Sequence, residues 1–483
     1  MKKKGSITVY LLLLLSVLLL LVGAVLFSVR HRGAQTMVKT AARQSMMDLF
    51  SNYEPTLFKE YGLLFIDAGF GSDTLMPGLM LDSVEKNAGL LWGSGSVASN
   101  IWGLSRPQAA LTGYTLATDQ KGEAFFRQAV EAAKAGLVTG TADLLKQQIQ
   151  TAGKQETAGK KQGDVKKACE EYQSAVEKAQ EGDLKQAEKE HTASAEGQVA
   201  VPCKENPIET IKKLQKKGVL GLVMPAGRSI SQKSVKKQTL VSGRELCTGI
   251  GLETAAGTHK KTDQLLYAGY LGHQLSSFTH PDEQADLAWQ LEYVFAGKTS
   301  DQANLKKTVE ALLVLREGAN LLYLKSDSRK MAQIHTMAAS IAASLAVPPG
   351  EGLISSVLCV CWAYGESLMD IRTLLAGGKV PVVKDAKSWQ LELSGLSSVD
   401  RQKAGSGQDG LTYTGYLQIL LGMKADSKNV LRGMDMLELA MRGKKDCSGF
   451  RMDHCMEAVE IELQAQIKGA GTVRATEYRS YEN

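Results

Sequence analysis

Lys2-Lys3-Lys4-Gly5-Ser6-Ile7-Thr8-Val9-Tyr10, running on through the leucines 11–15 and 18–21 to Val29, is a basic leader followed by a long stretch with no charged residue. As a helix, the segment Ile7 to Val29 reaches roughly 35 Å at 1.5 Å per residue, enough to cross a hydrocarbon core of about 30 Å. With neither charge nor proline in the run, every backbone amide can be satisfied inside one helix, as lipid demands. A cleavable secretory signal is the competing reading. It fits poorly, because secretory apolar regions span about 7 to 15 residues and end in small residues, whereas Leu26-Phe27-Ser28-Val29-Arg30 offers no such site. A retained single-pass anchor is therefore expected. The count of basic residues does not set its orientation, since Arg30, Arg32, Lys39 and Arg43 balance the three leading lysines. A short N-terminal tail is the easier side to leave in the cytoplasm, which puts the bulk of the chain outside the cell membrane.

A chain of 483 residues exceeds one comfortable core. Six segments are read from it: a leader (1–6), the transmembrane helix (7–29), a membrane-proximal helix with a small α+β unit (30–149), a charged low-complexity insert (150–200), a mainly helical domain (201–468) and a flexible tail (469–483). Few aromatics and no arginine stripe exclude a nucleic-acid partner. Lys204, Lys212, Lys213, Lys216, Lys217, Arg228, Lys233, Lys236 and Lys237 face only Glu205 and Glu209 in the same span. They read as a solvated basic face, with anionic lipid or wall polymer as the alternative partner. The seven cysteines, at 169, 203, 247, 359, 361, 447 and 455, match no zinc spacing and establish no disulfide framework, although Cys447 and Cys455 could bridge a turn.

Past the anchor, Arg32 to Leu49 keeps helical character, so one long rod is expected to end near Asn52 to Pro55. Tyr61 to Asp67 and Leu111 to Ala117 read as strands, the second closed by a turn at Asp119 to Gly122, and 69–113 reads as loop-rich. Phe126, Ala129, Val130, Ala133 and Leu137 mark a helix face. Between 150 and 200 lysine, glutamate, alanine and glycine displace the large apolar residues, which predicts a solvated helical arm. Asn206-Pro207 opens a helix to Lys217. Val219 to Pro225 suggests a buried extended segment, and Trp389 to Leu393 alternates like a strand. Amphipathic spacing recurs at Leu287, Leu291, Val294 and Phe295, at Leu305, Val309, Leu312 and Leu313, and at Ile334, Met337, Ile341 and Leu345. Leu353 to Leu375, the most apolar of these segments, is expected at the centre. Helices at 413–423 and 434–441 follow. The class is mainly α with a few short strands (α+β): an N-terminal transmembrane helix continuing into a long helix, then a helical-bundle ectodomain.

Lys4-Gly5-Ser6-Ile7-Thr8-Val9-Tyr10 ahead of a leucine run resembles the start of the pseudopilin-like TadE and TadG proteins of Tad (tight adherence) pilus loci, and more closely their large uncharacterised Gram-positive relatives. Similar stretches are Glu60-Tyr61-Gly62-Leu63-Leu64, Asn206-Pro207-Ile208-Glu209 with Gly218-Val219-Leu220, and Glu292-Tyr293-Val294 with Gly297-Lys298 and Asp301. Leu315-Arg316-Glu317 with Asn320, and Trp362-Ala363-Tyr364-Gly365-Glu366-Ser367, extend the likeness over nearly the whole chain except the charged insert. The resemblance implies a protein delivered to the outer face of the cytoplasmic membrane, with protein partners in a pilus or secretion assembly. It further implies leader-peptidase processing after Gly5, leaving Ser6 as the new N-terminus. Type IV pilins carry glutamate at the fifth mature position, where Tyr10 stands here, which favours a fixed accessory protein over a filament subunit.

No enzyme signature accompanies this. Glu292, Asp301, Glu310 and Glu317 at helical spacing read as a solvated face, with an Arg316–Glu317 ion pair as an alternative. His273 and His280 near Asp282 and Glu283 lack metal spacing, and His454 beside Cys455 reads as incidental. Gly365-Glu366-Ser367-Leu368-Met369 lacks the closing glycine of a nucleophile elbow, and Gly93-Ser94-Gly95-Ser96 lacks the lysine of a phosphate loop. The expectation is a membrane-bound structural or accessory protein, not an enzyme, with no cofactor and no metal. An exported enzyme acting on wall polymer and a tethered ligand-binding module are the alternatives.

Overall fold

The computed structural model describes residues 4–93, 100–136, 141–186, 205–253, 257, 260–345, 350–403, 405–424, 426–445 and 447–481. In chain order the helices are α1 (Lys4–Ser51), α2 (Pro55–Tyr61), α3 (Pro77–Leu91), α4 (Asp119–Gly136), α5 (Thr141–Gln162), α6 (Val165–Gln186), α7 (Pro207–Gln215) and α8 (Val219–Val223). They continue as α9 (Lys261–Gln274), α10 (Gln290–Ala296), α11 (Asp301–Ser326), α12 (Ser328–Ala343), α13 (Glu351–Leu375), α14 (Tyr413–Met423) and α15 (Ser427–Arg442). The strands are β1 (Ile66–Asp67), β2 (Gln108–Leu116), β3 (Cys455–Ile467) and β4 (Gly471–Ser480). The chain is thus mainly helical with a small antiparallel sheet, the α+β class expected. It forms two compact units that do not follow chain order: residues 1–132, 239–258 and 434–483 make the first, and 133–238 with 259–433 the second.

The first unit is built around α1 and the sheet. β3 is central. Met456 pairs with Ile66 of β1 and with Leu116 of β2, and Val459 with Tyr114 of β2 and Arg479 of β4, so β2 takes one edge and β1 with β4 the other. Val459, Ile461, Leu463, Ala465 and Ile467 alternate with polar residues and turn their side chains into the core. Against them lie Ala34, Val38, Ala41, Met46 and Leu49 of α1, a helical stripe on the second half of the rod. Arg30 Nε donates to the Trp102 carbonyl at 3.2 Å, where the helix meets the core.

Three expectations fail in this unit. Tyr61 to Asp67, read as a strand, closes α2 at Tyr61 and is paired as a strand only at Ile66 and Asp67. The supposed flexible tail from Gly469 is β4, held edge-on to β3, with left-handed glycines 469 and 471 forming the hairpin turn. Residues 69–113, read as loop, contain α3, which starts on Pro77 in its first turn.

In the second unit α13 is the hub, and all of Val357 to Leu375 is buried. Around it pack α6, α7, α8, α11 and α12, and α5 lies along α11. The solvated arm expected over 150–200 is not what residues 150–172 form. Glycines let α5 approach α11 backbone to backbone: a Cβ on Gly159 would strike the Val314 carbonyl, and one on Gly318 the Gln155 carbonyl. Close approach of small residues replaces the apolar bulk on which the sequence reading relied. Residues 187–204 lie outside the described residues. Val219–Val223 is one helical turn rather than a strand, since a short apolar run carries no periodicity to separate the two. Trp389 to Leu393 forms no strand either, because the Gln390 and Leu391 amides donate to the Glu366 carboxylate at 2.9 and 2.7 Å.

Candidate functional site

The most distinctive feature is the first half of α1. Each large apolar side chain from Ile7 to Val29 is between 45 and 73% exposed, so the unit's own core covers none of that run. A second helix, α13, is also long and apolar enough to cross a membrane, but 83% of its apolar window is buried and it serves as core. α1 thus carries bare lipid-compatible surface on one half and a core-facing stripe on the other, with no break between them. Gly5 and Ser6, the expected processing junction, lie in its first turn, where backbone amides lack intrahelical partners and unwinding costs least.

The carboxylates expected on a solvated face are mostly buried. Glu310 alone behaves as read, pairing with Lys307 at 3.3 Å with its side chain 40% exposed. Arg316 does not pair with Glu317. It reaches Asp370 on α13 through Nε at 3.0 Å, and its Nη1 donates to the Pro381 carbonyl and the Tyr416 hydroxyl at 3.0 and 2.9 Å. Asp370 also accepts from Asn320 at 3.1 Å and from Lys384 at 2.7 Å, and Lys384 reaches Glu366 at 2.5 Å. Two cations and two anions, all buried, balance within this cluster. Burial pushes the Asp370 carboxyl up, but Arg316 and Lys384 outweigh it and hold it below the usual value. Burial and then the neighbouring Asp370 charge push Glu366 up to about 7. The cluster ties α11, α13 and the 380–391 segment together and presents no side chain to solvent.

Glu292 and Asp301 clamp backbone. Glu292 Oε1 accepts from the Phe278 amide at 2.8 Å and the Tyr413 hydroxyl at 2.9 Å, and burial drives its carboxyl up to about 7. Asp301 Oδ2 accepts from the Ala288 amide at 3.0 Å and Ser231 Oγ at 2.5 Å. Glu317 is buried too, and burial, with Asp164 nearby, holds its carboxyl well above the ordinary range. His273 and His280 are exposed, and Asp282 caps the amides of Gln284 and Ala285 instead of joining them. Ser367 sits inside α13, donating to the Ala363 carbonyl at 2.7 Å, and so forms no exposed nucleophile turn. Ser94 to Ser96 lie outside the described residues. Of the expected basic face, Arg228 donates to the Phe278 carbonyl at 2.7 Å and Lys233 to the carbonyls of Glu283 and Ala285, so both are structural.

One grouping in the first unit is legible only in three dimensions. Cys247 Sγ, an Asp453 oxygen and a His454 ring nitrogen lie within 4.8 Å of one another, a spacing that would suit a cation. The donor chemistry does not suit one. Asp453 is already engaged by Arg244 and by Arg451 Nη2 at 2.7 Å, and it accepts the Cys247 amide at 3.1 Å, so two guanidinium groups occupy the place of a metal. Burial lowers the tendency of His454 to take a proton, and burial with Asp453 raises the Cys247 thiol. Arg244 also forks onto Glu438 at 2.5 and 2.7 Å, which pins the 239–258 segment to α15.

Open recesses among the described residues include three, the smallest of about 280 Å³ beside Thr151, Leu322 and Val383 in the second unit. The largest, of about 760 Å³, is bordered by Tyr53, Asp67, Phe70 and Met80 in the first unit. The third, of about 460 Å³, is bordered by Lys161, Lys325, His335, Leu353 and Cys359 in the second.

No curated protein and no solved structure matches this chain. A family profile does match, over residues 197–467, more than half of the sequence, from the last residues before α7 to the end of β3. The chain therefore belongs to the Family of unknown function (DUF5702).

Proposed function

We propose that this chain is a membrane-anchored structural or accessory component of a Tad-like pilus or related surface-assembly system, with its folded units outside the cytoplasmic membrane. One observation carries the reading: the bare apolar half of α1 and the half built into the core of the first unit are a single uninterrupted helix. An enzyme that needs only tethering is served by any linker. A helix shared by membrane and core transmits position and load without a hinge, which is what a part of an assembly requires. The partners are the bilayer and proteins of the assembly. In intact cells, protease added outside should degrade the folded units, and affinity purification in mild detergent should retain Tad-type ATPase or platform proteins. Protection of those units in intact cells, with digestion in inverted vesicles, would refute the topology. The mass of the mature N-terminus reports whether the bond after Gly5 is cut.

The 460 Å³ recess favours a second reading, a tethered ligand-binding module. Saturable binding of a wall-derived or small polar compound, abolished by filling the recess with Leu353→Trp, would support it over assembly.

A further inference from the structure

Cys169 on α6 and Cys361 on α13 place their sulfurs 3.9 Å apart, although 192 positions separate them in sequence. Both side chains are buried. The described part of α6 buries only Val165, Cys169 and Tyr172, at i, i+4 and i+7, so Cys169 occupies the middle of the narrow stripe that docks the helix. Beside that stripe, Asn206 donates to the Tyr172 hydroxyl at 3.0 Å, and Lys212 reaches Gln173. Cys359 belongs to a different surface, roughly 200° around α13 from Cys361, and borders the open recess.

We propose that Cys169 and Cys361 are a redox-closable pair whose disulfide fastens α6 to α13. The sulfurs must close to about 2.05 Å, a movement within reach of side-chain rotation when the starting separation is this short. The oxidant is a low-molecular-weight or protein disulfide. The Cys169 thiolate attacks one of its sulfurs, breaking that S–S bond and releasing one thiol. Cys361 then attacks the Cys169 sulfur of the mixed disulfide and releases the second thiol. Two S–H protons and two electrons pass from the cysteines to the oxidant, which leaves as two thiols. The roles follow from asymmetry: the hydrogen bond shared with Cys361 holds the Cys169 thiol below its ordinary pKa, while the same bond, together with burial, pushes Cys361 up. Because the closed loop is long, the bond constrains the unfolded chain strongly. An oxidising extracytoplasmic space would keep it formed.

This inference goes beyond the proposed function, and its test on purified protein does not depend on which side of the membrane holds the second unit. Full-length protein in detergent is equilibrated with glutathione and glutathione disulfide, trapped by alkylation and digested with trypsin without reduction. Wild type and Cys359→Ser should both yield peptide 168–178 linked to 331–372, and Cys361→Ser should lose the link. Amide exchange across α6 should slow on the order of tenfold on oxidation in wild type and stay unchanged in Cys361→Ser. Recovery of both cysteines as separate alkylated or glutathionylated peptides under excess oxidant, or a link that survives Cys361→Ser, would overturn the pairing.

Discussion

Arg316 of α11 and Asp370 of α13 meet at 3.0 Å with neither side chain exposed. Fifty-four positions apart in sequence, they are the join between the two longest helices of the second unit. Lys384 and Glu366 complete the charge balance, and Arg316 Nη1 donates to the carbonyls of Pro381 and Val382 at 3.0 and 3.2 Å. The pair acts as a register pin: it is satisfied in one alignment of α11 on α13 and in no shifted one.

Removing one partner from this cluster should therefore cost far more than a surface charge change. Asp370→Ala leaves the buried Arg316 without a carboxylate partner and takes one of two from Lys384, and chemical unfolding of the full-length chain in detergent should show a loss of about 3–5 kcal/mol. Lys307→Ala, which breaks an exposed pair, should stay within about 0.5 kcal/mol.

Glu292 makes stability fall as pH rises. Its folded pKa, about 7, lies above its unfolded value, so the folded state binds the extra proton in the window between about 4.5 and 7 and stability drops through that window. Glu292→Gln imitates the neutral acid and keeps the acceptor for Phe278 and Tyr413. Urea unfolding should give matching stabilities near pH 4, below the unfolded value, and a greater stability for the variant at pH 8, by an amount on the order of 3 kcal/mol at most. Equal stabilities at both pH values would show that Glu292 does not contribute this dependence.

The α5–α11 contact depends on missing side chains. Gly318→Ala and Gly159→Ala each push a methyl group into a facing carbonyl and should cost about 1–3 kcal/mol. Gly153→Ala, on the same helix with open space beside it, should be neutral or stabilise by up to about 1 kcal/mol. Thermal unfolding of the three variants side by side is the measurement; a uniform response would mean that the helices do not approach as closely as described.

Truncation should separate the two halves of α1. A chain starting at Arg30 loses only exposed apolar surface and should keep the near-ultraviolet circular dichroism of the folded body while leaving the membrane fraction. A chain starting at Asn52 loses Ala34, Val38, Ala41, Met46 and Leu49 from the core against β3, and the first unit should unfold.

Several elements were readable because local rules decide them. Asn206 caps α7 through the Ile208 amide at 3.0 Å with Pro207 following, and α1 ends at Ser51, shortly before Pro55. Val459-Glu460-Ile461-Glu462-Leu463-Gln464-Ala465-Gln466-Ile467 alternates as β3 requires, although the sequence reading placed that stretch within a mainly helical domain. The carboxylates of the second unit could not be sorted from sequence. Glu310 and Glu317 stand on one helix at a spacing that suits a shared face, yet one is half in water and the other is buried.

The amino-acid order alone settled the bare apolar helix, its continuation as a rod and the helices α11, α12 and α13. These depend on hydropathy and period, which are summed over neighbours in the chain. Which charges are buried together, that β3 returns from the far end to sit beside β2, and that Cys169 faces Cys361 were decided only by the tertiary structure. Each of those depends on surfaces far apart in sequence meeting in space, and burial, pairing and close approach are properties of the meeting, not of either surface alone.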